Sequence, residues 1–392
     1  MPMRMVETIL EIARWAPSGD NTQPWRFEIL DDRRFVVHGF DTRDWCLYDI
    51  DGRPSQIALG ALLENIAIAG SAHAMKASIV RRADAPDAHP TFDVRLDDAP
   101  GMPADPLAPF IAVRSVQRRA LRSRALSAPA KRTLEAAVGP DHSVRWLEGL
   151  ANRRAVAALM FRTSAVRLTA PEAYEVHRSV IAWNSRFSED KVPDAAIGLD
   201  PITTRLMAFV MRDFGRVRFF NRYLAGTFAP RLQLDVVPSL ACAAHFLIVA
   251  RTAPRTVDDY VAAGRAMQRF WLTVTQEGLQ LQPEMAPLIF AAYVRQDRPF
   301  TATPSIWRRA KAVGARFQRL VATDAERVVF MGRVGEGAAP NARSLRRPLA
   351  DLIVARSPGA GFGDGNAEAR GYSSVRNRPS MPWASAGEKN SG

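Results

Sequence analysis

Three short clusters in this chain combine residue types able to hold a polar ligand. The first, Pro17-Ser18-Gly19-Asp20-Asn21-Thr22-Gln23-Pro24-Trp25, follows a helical pattern and precedes an alternating one. Proline and glycine fix an irregular loop there, and Ser18, Asn21 and Gln23 supply donors and acceptors. Such a loop can hydrogen-bond the edge of a polar heterocycle. The second is Arg114-Ser115-Val116-Gln117-Arg118-Arg119, and the third is Arg343-Ser344-Leu345-Arg346-Arg347-Pro348. Arginine forks beside a serine hydroxyl suit a phosphate dianion, because bidentate charge-assisted bonds bring both charge and geometry. Taken singly, the loop also fits a capped turn, and each basic cluster also fits a solvated surface.

Other chemistries lack their signatures. The sequence has no GxxxxGK[ST], HExxH or GxSxG. Gly332-x-x-Gly335-x-Gly337 has the wrong spacing for a dinucleotide fingerprint, and Asp364 breaks the run Gly359-x-Gly361-x-Gly363. The six histidines are scattered, and His245, in an apolar stretch, reads as a satisfied core residue. Cys46 and Cys242 are far apart, which argues against a disulfide framework or a zinc site. The net charge of +13 rests on arginine, since only five of the 53 basic residues are lysine. Acidic residues are interspersed and no nucleic-acid-binding motif accompanies the arginines, so nucleic acid is not the expected partner. No apolar run is long enough to span a bilayer and no signal peptide is evident, so a cytoplasmic protein without a membrane partner is expected.

The elements that must position these clusters follow from periodicity. Val6, Ile9, Leu10 and Ala13 share a face, predicting a helix over 3–16. Trp25 to Leu30 and Arg34 to Val37 alternate like a hairpin across Asp31-Asp32. Residues 55–70 are apolar nearly all round, the pattern of a helix buried on every side. Lys76–Arg81 and Thr91–Leu96 read as strands. Pro103, Pro106 and Pro109 mark a seam, dividing the chain into halves at 1–106 and 107–356. Beyond it, helices are expected over 126–138, 153–168, 171–183 and 257–278, and strands at 245–250 and 328–331. Residues 184–243 read as broken helical pieces, long enough for a lid. The Gly/Ser/Asn-rich stretch 357–392 reads as a disordered tail.

Together the three clusters resemble the nitroreductase family. Its members look like an N-terminal arginine-serine-arginine motif, then a Pro-Ser-x-x-Asn-x-Gln-Pro-Trp loop, with a basic segment near the C-terminus. Leu59-Gly60-Ala61-Leu62-Leu63-Glu64-Asn65 and Gly264-x-x-x-Gln268-x-x-Trp271-Leu272 are further matches. Here the arginine-serine-arginine motif does not precede the loop; it appears at Arg114, where the second half begins. The arrangement is similar to a tandem, fused-dimer branch of the family, including a group associated with molybdopterin biosynthesis.

The resemblance implies an α+β fold of two nitroreductase-like halves forming a pseudo-dimer, with one composite FMN site. Arg114, Ser115 and Arg118, with Arg346 or Arg347, would grip the phosphate. Pro17, Ser18, Gly19, Asn21 and Gln23 would approach the ring, with Ser18 and Asn21 tuning it. Backbone at Pro283, Glu284 and Met285 would reach flavin N5. The implied activity is an FMN-dependent oxidoreductase in which NAD(P)H is a transient co-substrate and a small molecule the acceptor. No side-chain acid or base is assigned. The alternatives are flavin storage without turnover and an accessory role in molybdopterin biosynthesis. Fusion removes the usual reason to dimerise, so a monomer is expected.

Overall fold

The apolar face at the N-terminus forms helix α1 (Met5–Ala13), with Val6, Ile9, Leu10 and Ala13 fully buried. The structure, a computed structural model, describes residues 4–224 and 226–356; the tail at 357–392 lies outside them. The hairpin follows as β1 (Trp25–Ile29) and β2 (Arg34–Gly39). The all-round apolar segment is helix α2 (Arg53–Ser71), buried along nearly its whole length. Strands β3 (Met75–Arg81) and β4 (Thr91–Asp98) complete an antiparallel sheet in the order β1-β2-β4-β3.

The second half repeats this plan. Its strands are His142–Leu147, Ala244–Ala250, Gln280–Pro283 and Val328–Gly335, all antiparallel. Numbered along the chain, they again lie in the order first, second, fourth, third. The long helix Val257–Gln276 runs between the second and third strands, as α2 does in the first half. The fold is therefore α+β, with two halves of one strand order.

The two long helices cross at glycine. A Cβ on Gly60 would overlap the Val261 carbonyl and come within 2.9 Å of the Gly264 Cα, so only hydrogen at both positions allows this approach. Beside the crossing, Gln268 Nε2 donates to Asn65 Oδ1 at 2.7 Å, and Asn65 Nδ2 donates to the Ala13 carbonyl at 3.1 Å. Both side chains are fully buried, so these bonds offset their desolvation and fix the register of the halves. One apolar core runs through both sheets, from Phe27 and Phe35 to Phe246 and Phe330.

Two irregular arms tie the halves to the site. Val116 bridges Leu281 in parallel, so the basic segment after the seam rides on the edge of the second sheet. Fully buried Arg333 holds it there, donating through Nη2 to the carbonyls of Gln117, Arg118 and Arg119 at 3.3, 2.9 and 2.8 Å. The C-terminal arm crosses to the first half, where Ile353 bridges Phe27 and Val354 N donates to Phe27 O at 2.9 Å.

Elements beyond the sequence expectations include the strands His142–Leu147 and Gln280–Pro283 and the helices Ala286–Arg295 and Pro304–Val321. Residues 184–243 form short strands and separate helices, among them Pro201–Val210 and Phe214–Tyr223.

Candidate functional site

A cavity of about 330 Å³ opens between the halves. The first half contributes Pro17 to Asn21, Tyr48 and the start of α2; the second contributes Arg114 to Val116, Arg118, Trp271, Pro283, Met285 and, from the arm, Arg343, Ser344 and Arg346. The loop at 17–24 is locally costly. Asp20, Asn21 and Gln23 all have φ between 49° and 63°, a region that non-glycine residues seldom occupy. Side-chain bonds hold it. Asn21 Nδ2 donates to Glu189 O at 3.0 Å and Leu345 O at 3.2 Å, and its Oδ1 accepts from Arg346 Nη1 at 3.0 Å. Gln23 Nε2 donates to Glu189 O at 2.8 Å, while its Oε1 accepts from Arg347 N at 3.0 Å. Ser18 Oγ accepts from Gln23 N at 2.9 Å.

One pole of the cavity is cationic. Arg114, Arg343 and Arg346 converge beside Trp15 and Trp271: Arg114 lies 4.4 Å over the Trp271 ring and Arg343 lies 4.9 Å over Trp15. Arg114 Nη2 donates to Trp15 O at 3.1 Å, and Arg346 Nε to Ala16 O at 2.9 Å. Among the described residues none of the three meets a carboxylate; their partners are carbonyls, the Asn21 amide oxygen and aromatic faces. Arg114 Nε and Arg343 Nε are buried without a partner. Burial, then repulsion from Arg346 and Arg343, holds Arg114 well below the usual guanidinium range. Burial, then Arg343 and Arg14, brings Arg346 down to about 9. A buried cluster of like charges with spare donors is a site for an anion. The Ser115 and Ser344 side chains also line it.

The other pole is mixed. Arg118 lies here rather than with Arg114: its Nη1 donates to Ala196 O at 3.1 Å, and its charged neighbours are Asp20 and Arg167. Burial lowers Arg118 to about 10 and raises the Asp20 carboxyl, an effect Arg167 and Arg118 oppose. Tyr48 Oη lies 3.0 Å from His177 Nε2. Burial and then Arg167 hold His177 down to about 3, so its ring is neutral at ordinary pH. The neutral ring therefore accepts from the Tyr48 hydroxyl or donates to it, according to its tautomer.

Of the residues the sequence singles out, Pro17, Ser18, Gly19, Asn21, Arg114, Ser115, Arg118, Pro283, Met285 and Arg346 line the cavity. Gln23, Glu284 and Arg347 do not. Gln23 ties the loop to the arm, and Arg347 turns outward to Asp190 at 3.4 Å. Glu284 points into the protein, its Oε2 2.7 Å from His245 Nδ1, and its backbone N–H donates to Met331 O at 2.8 Å. Proline has no N–H, so Met285 is the remaining backbone donor of that trio. Asn21 lines the cavity and braces the loop with its whole amide. Asp20, Tyr48, Arg167, His177, Trp271 and Arg343 were not anticipated in the cavity wall. Tyr48, Arg167 and His177 come from distant segments with no shared local pattern, whereas Asp20 lies within the recognised loop and Arg343 within the recognised basic cluster.

Residues 1–86 match the model of the nitroreductase family. The first half is thus nitroreductase-like, and the second repeats its strand order. The chain is similar to the uncharacterized protein MT1398 of Mycobacterium tuberculosis (strain CDC 1551 / Oshkosh), at 23% identity over 350 residues, 88% of this chain. It spans about half, 48%, of the length of that relative. A nitroreductase-like family protein from Bacillus cereus aligns at 13% identity and a TM-score of 0.32, over 63% of this chain and 94% of its own. The FMN-dependent nitroreductase NfnB from Mycobacterium smegmatis, solved in complex with NADPH, aligns at 14% and 0.33, over 62% and 94%. No helix among the described residues is long and apolar enough to cross a membrane.

Proposed function

We propose that the chain binds one FMN between its halves, at 1–106 and 107–356, and acts as an NAD(P)H-dependent oxidoreductase on a small-molecule acceptor. The observation that carries this reading is the carboxylate-free cluster of Arg114, Arg343 and Arg346, with two buried guanidinium nitrogens unpartnered. The nitroreductase match over 1–86 supports it. The donor set fits a phosphate, and the loop at Pro17 to Asn21 would flank the ring. When bound, the flavin supplies the hydride-transfer chemistry, and the protein supplies binding, orientation and electrostatics. Arg114, Arg343 and Arg346 would neutralise the phosphate in a site drier than the surface. Asp20, Arg118, Arg167, Tyr48 and His177 would form the polar wall that meets the second substrate.

Anaerobic titration of flavin-loaded protein with NADPH and NADH tests the reading: the flavin band should bleach stoichiometrically and recover with an acceptor such as a quinone or nitroarene. A second reading, flavin held without turnover, is favoured by one feature. Val192 and Ala196 line the cavity, and their segment is pinned through the carbonyls of Glu189 and Lys191 to Asn21 and Gln23. A flavin band that neither cofactor bleaches would select this second reading.

Asn21 offers a separate check. Because its amide bridges the loop, the 189–191 segment and the arm, Asn21→Ala should loosen the whole site and release flavin. The potential of the flavin that remains should be unchanged. A shifted midpoint potential with full retention would instead place Asn21 at the ring.

A further inference from the structure

Eight of the twelve exposed large hydrophobic side chains among the described residues fall between Ile202 and Val237. They concentrate on two adjacent helices. On Pro201–Val210, Ile202, Leu206 and Phe209 recur at one-turn spacing and are 78%, 48% and 46% exposed. On Phe214–Tyr223, Phe219 and Tyr223 are one turn apart, 54% and 64% exposed, with rings 5.2 Å apart. The pair is anchored from beneath: Met211 and Val217 are buried with Tyr174, whose hydroxyl donates to Met211 O at 3.1 Å. The outer apolar side chains have no comparable partner among the described residues. An apolar surface of this extent marks an interaction site.

The charge around it selects the occupant. Between 201 and 224 there are five arginines and a single acid, Asp213, whose carboxylate already caps the second helix at Arg216 N. Arg205, Arg212, Arg218 and Arg222 are exposed, while Arg216 stacks 4.4 Å from the Phe209 ring centroid. A second copy docked face to face would set arginine against arginine, which disfavours self-association through this face. An anionic bilayer answers both features, accepting Phe, Leu, Ile and Tyr at its acyl boundary and arginines at its headgroups.

We propose that the helix pair 201–224 is an interfacial anchor that docks the protein reversibly on anionic lipid surfaces, independently of what the cavity binds. This departs from the absence of a membrane partner expected of the sequence, because an interfacial element needs no spanning segment. Tyr174 beneath the anchor and His177 in the cavity wall lie one turn apart on the helix Pro171–Val180, so anchor and cavity share a support.

The test is co-sedimentation of the purified full chain with phosphatidylcholine vesicles, with and without phosphatidylglycerol. Binding is expected only to the mixed vesicles and should fall with added salt. Both Phe219→Ser/Tyr223→Ser and Arg218→Glu/Arg222→Glu should weaken it at least about tenfold, with circular dichroism and thermal unfolding unchanged. Three results would overturn the proposal: no binding to phosphatidylglycerol vesicles, equal binding by the folded variants, or a concentration-dependent dimer that Phe219→Ser/Tyr223→Ser abolishes.

Discussion

Gly264→Ala is expected to lower folding stability by about 3 kcal/mol or more, or to leave the chain insoluble. A methyl group there would run into the Ile57 carbonyl and the Gly60 Cα, and backbone in two crossing helices cannot swing aside as a side chain can. Relief requires the helices to separate, which would pull apart Gln268 and Asn65 and expose core on both sides. Gly19→Ala is the internal control, since a Cβ at that position meets nothing within 4 Å. Urea unfolding of the two variants beside the parent measures the contrast. A Gly264→Ala protein within about 0.5 kcal/mol of the parent would mean that the halves do not rely on this crossing.

Glu284→Gln should carry a comparable or larger penalty, about 3–5 kcal/mol, because it strips the counter-charge from a buried ion pair. His245 Nδ1 faces Glu284 Oε2 at 2.7 Å, and its Nε2 faces the Ser239 carbonyl at 3.0 Å. Both neighbours are acceptors, so the ring must carry both protons, and a neutral ring would set a lone pair against one of them. Burial alone would lower the His245 pKa, but the Glu284 charge outweighs it and raises the pKa to about 10. The unfolded chain binds this proton only below about pH 6.5. The pair's contribution is therefore complete below that value and is lost as pH rises toward and through 10. Urea midpoints of the parent should fall over that interval, and Glu284→Gln should flatten the fall. An unchanged slope would show that another group governs the alkaline limb.

The parts of this site legible in the sequence are those where several chemical types stand side by side. Pro17 to Trp25 announces an irregular polar loop, and Arg114-Ser115 and Arg343 to Arg347 announce phosphate-seeking segments. Which arginines turn inward was not legible. The arms have no helical or strand period to assign a face, so Arg343 and Arg346 enter the cationic pole while Arg347 faces Asp190 and Arg118 joins the opposite pole. Tyr48, Arg167 and His177 meet only because tertiary packing brings three distant segments together. The long helices showed through their apolar spacing, and Ile306, Ala310, Val313, Phe317 and Val321 carry the same signal for Pro304–Val321. His142–Leu147 is a half-covered edge strand in which Val144 and Trp146 pack on the core and alternate with Ser143 and Arg145, a pattern too short to stand out from its surroundings.

In the function proposed above, one flavin bridges the two halves of one chain, held by a cationic pole that no carboxylate among the described residues neutralises. The most direct test of that function is FMN released by heat and quantified per polypeptide, across a titration of apoprotein with FMN, in the parent and in Arg114→Ala. The parent should saturate near one FMN per chain. Arg114→Ala should bind it at least about tenfold more weakly, the loss of one charge-assisted contact worth about 1.5–3 kcal/mol. Saturation at two per chain, no FMN bound at all, or an Arg114→Ala protein of parental affinity would contradict the account.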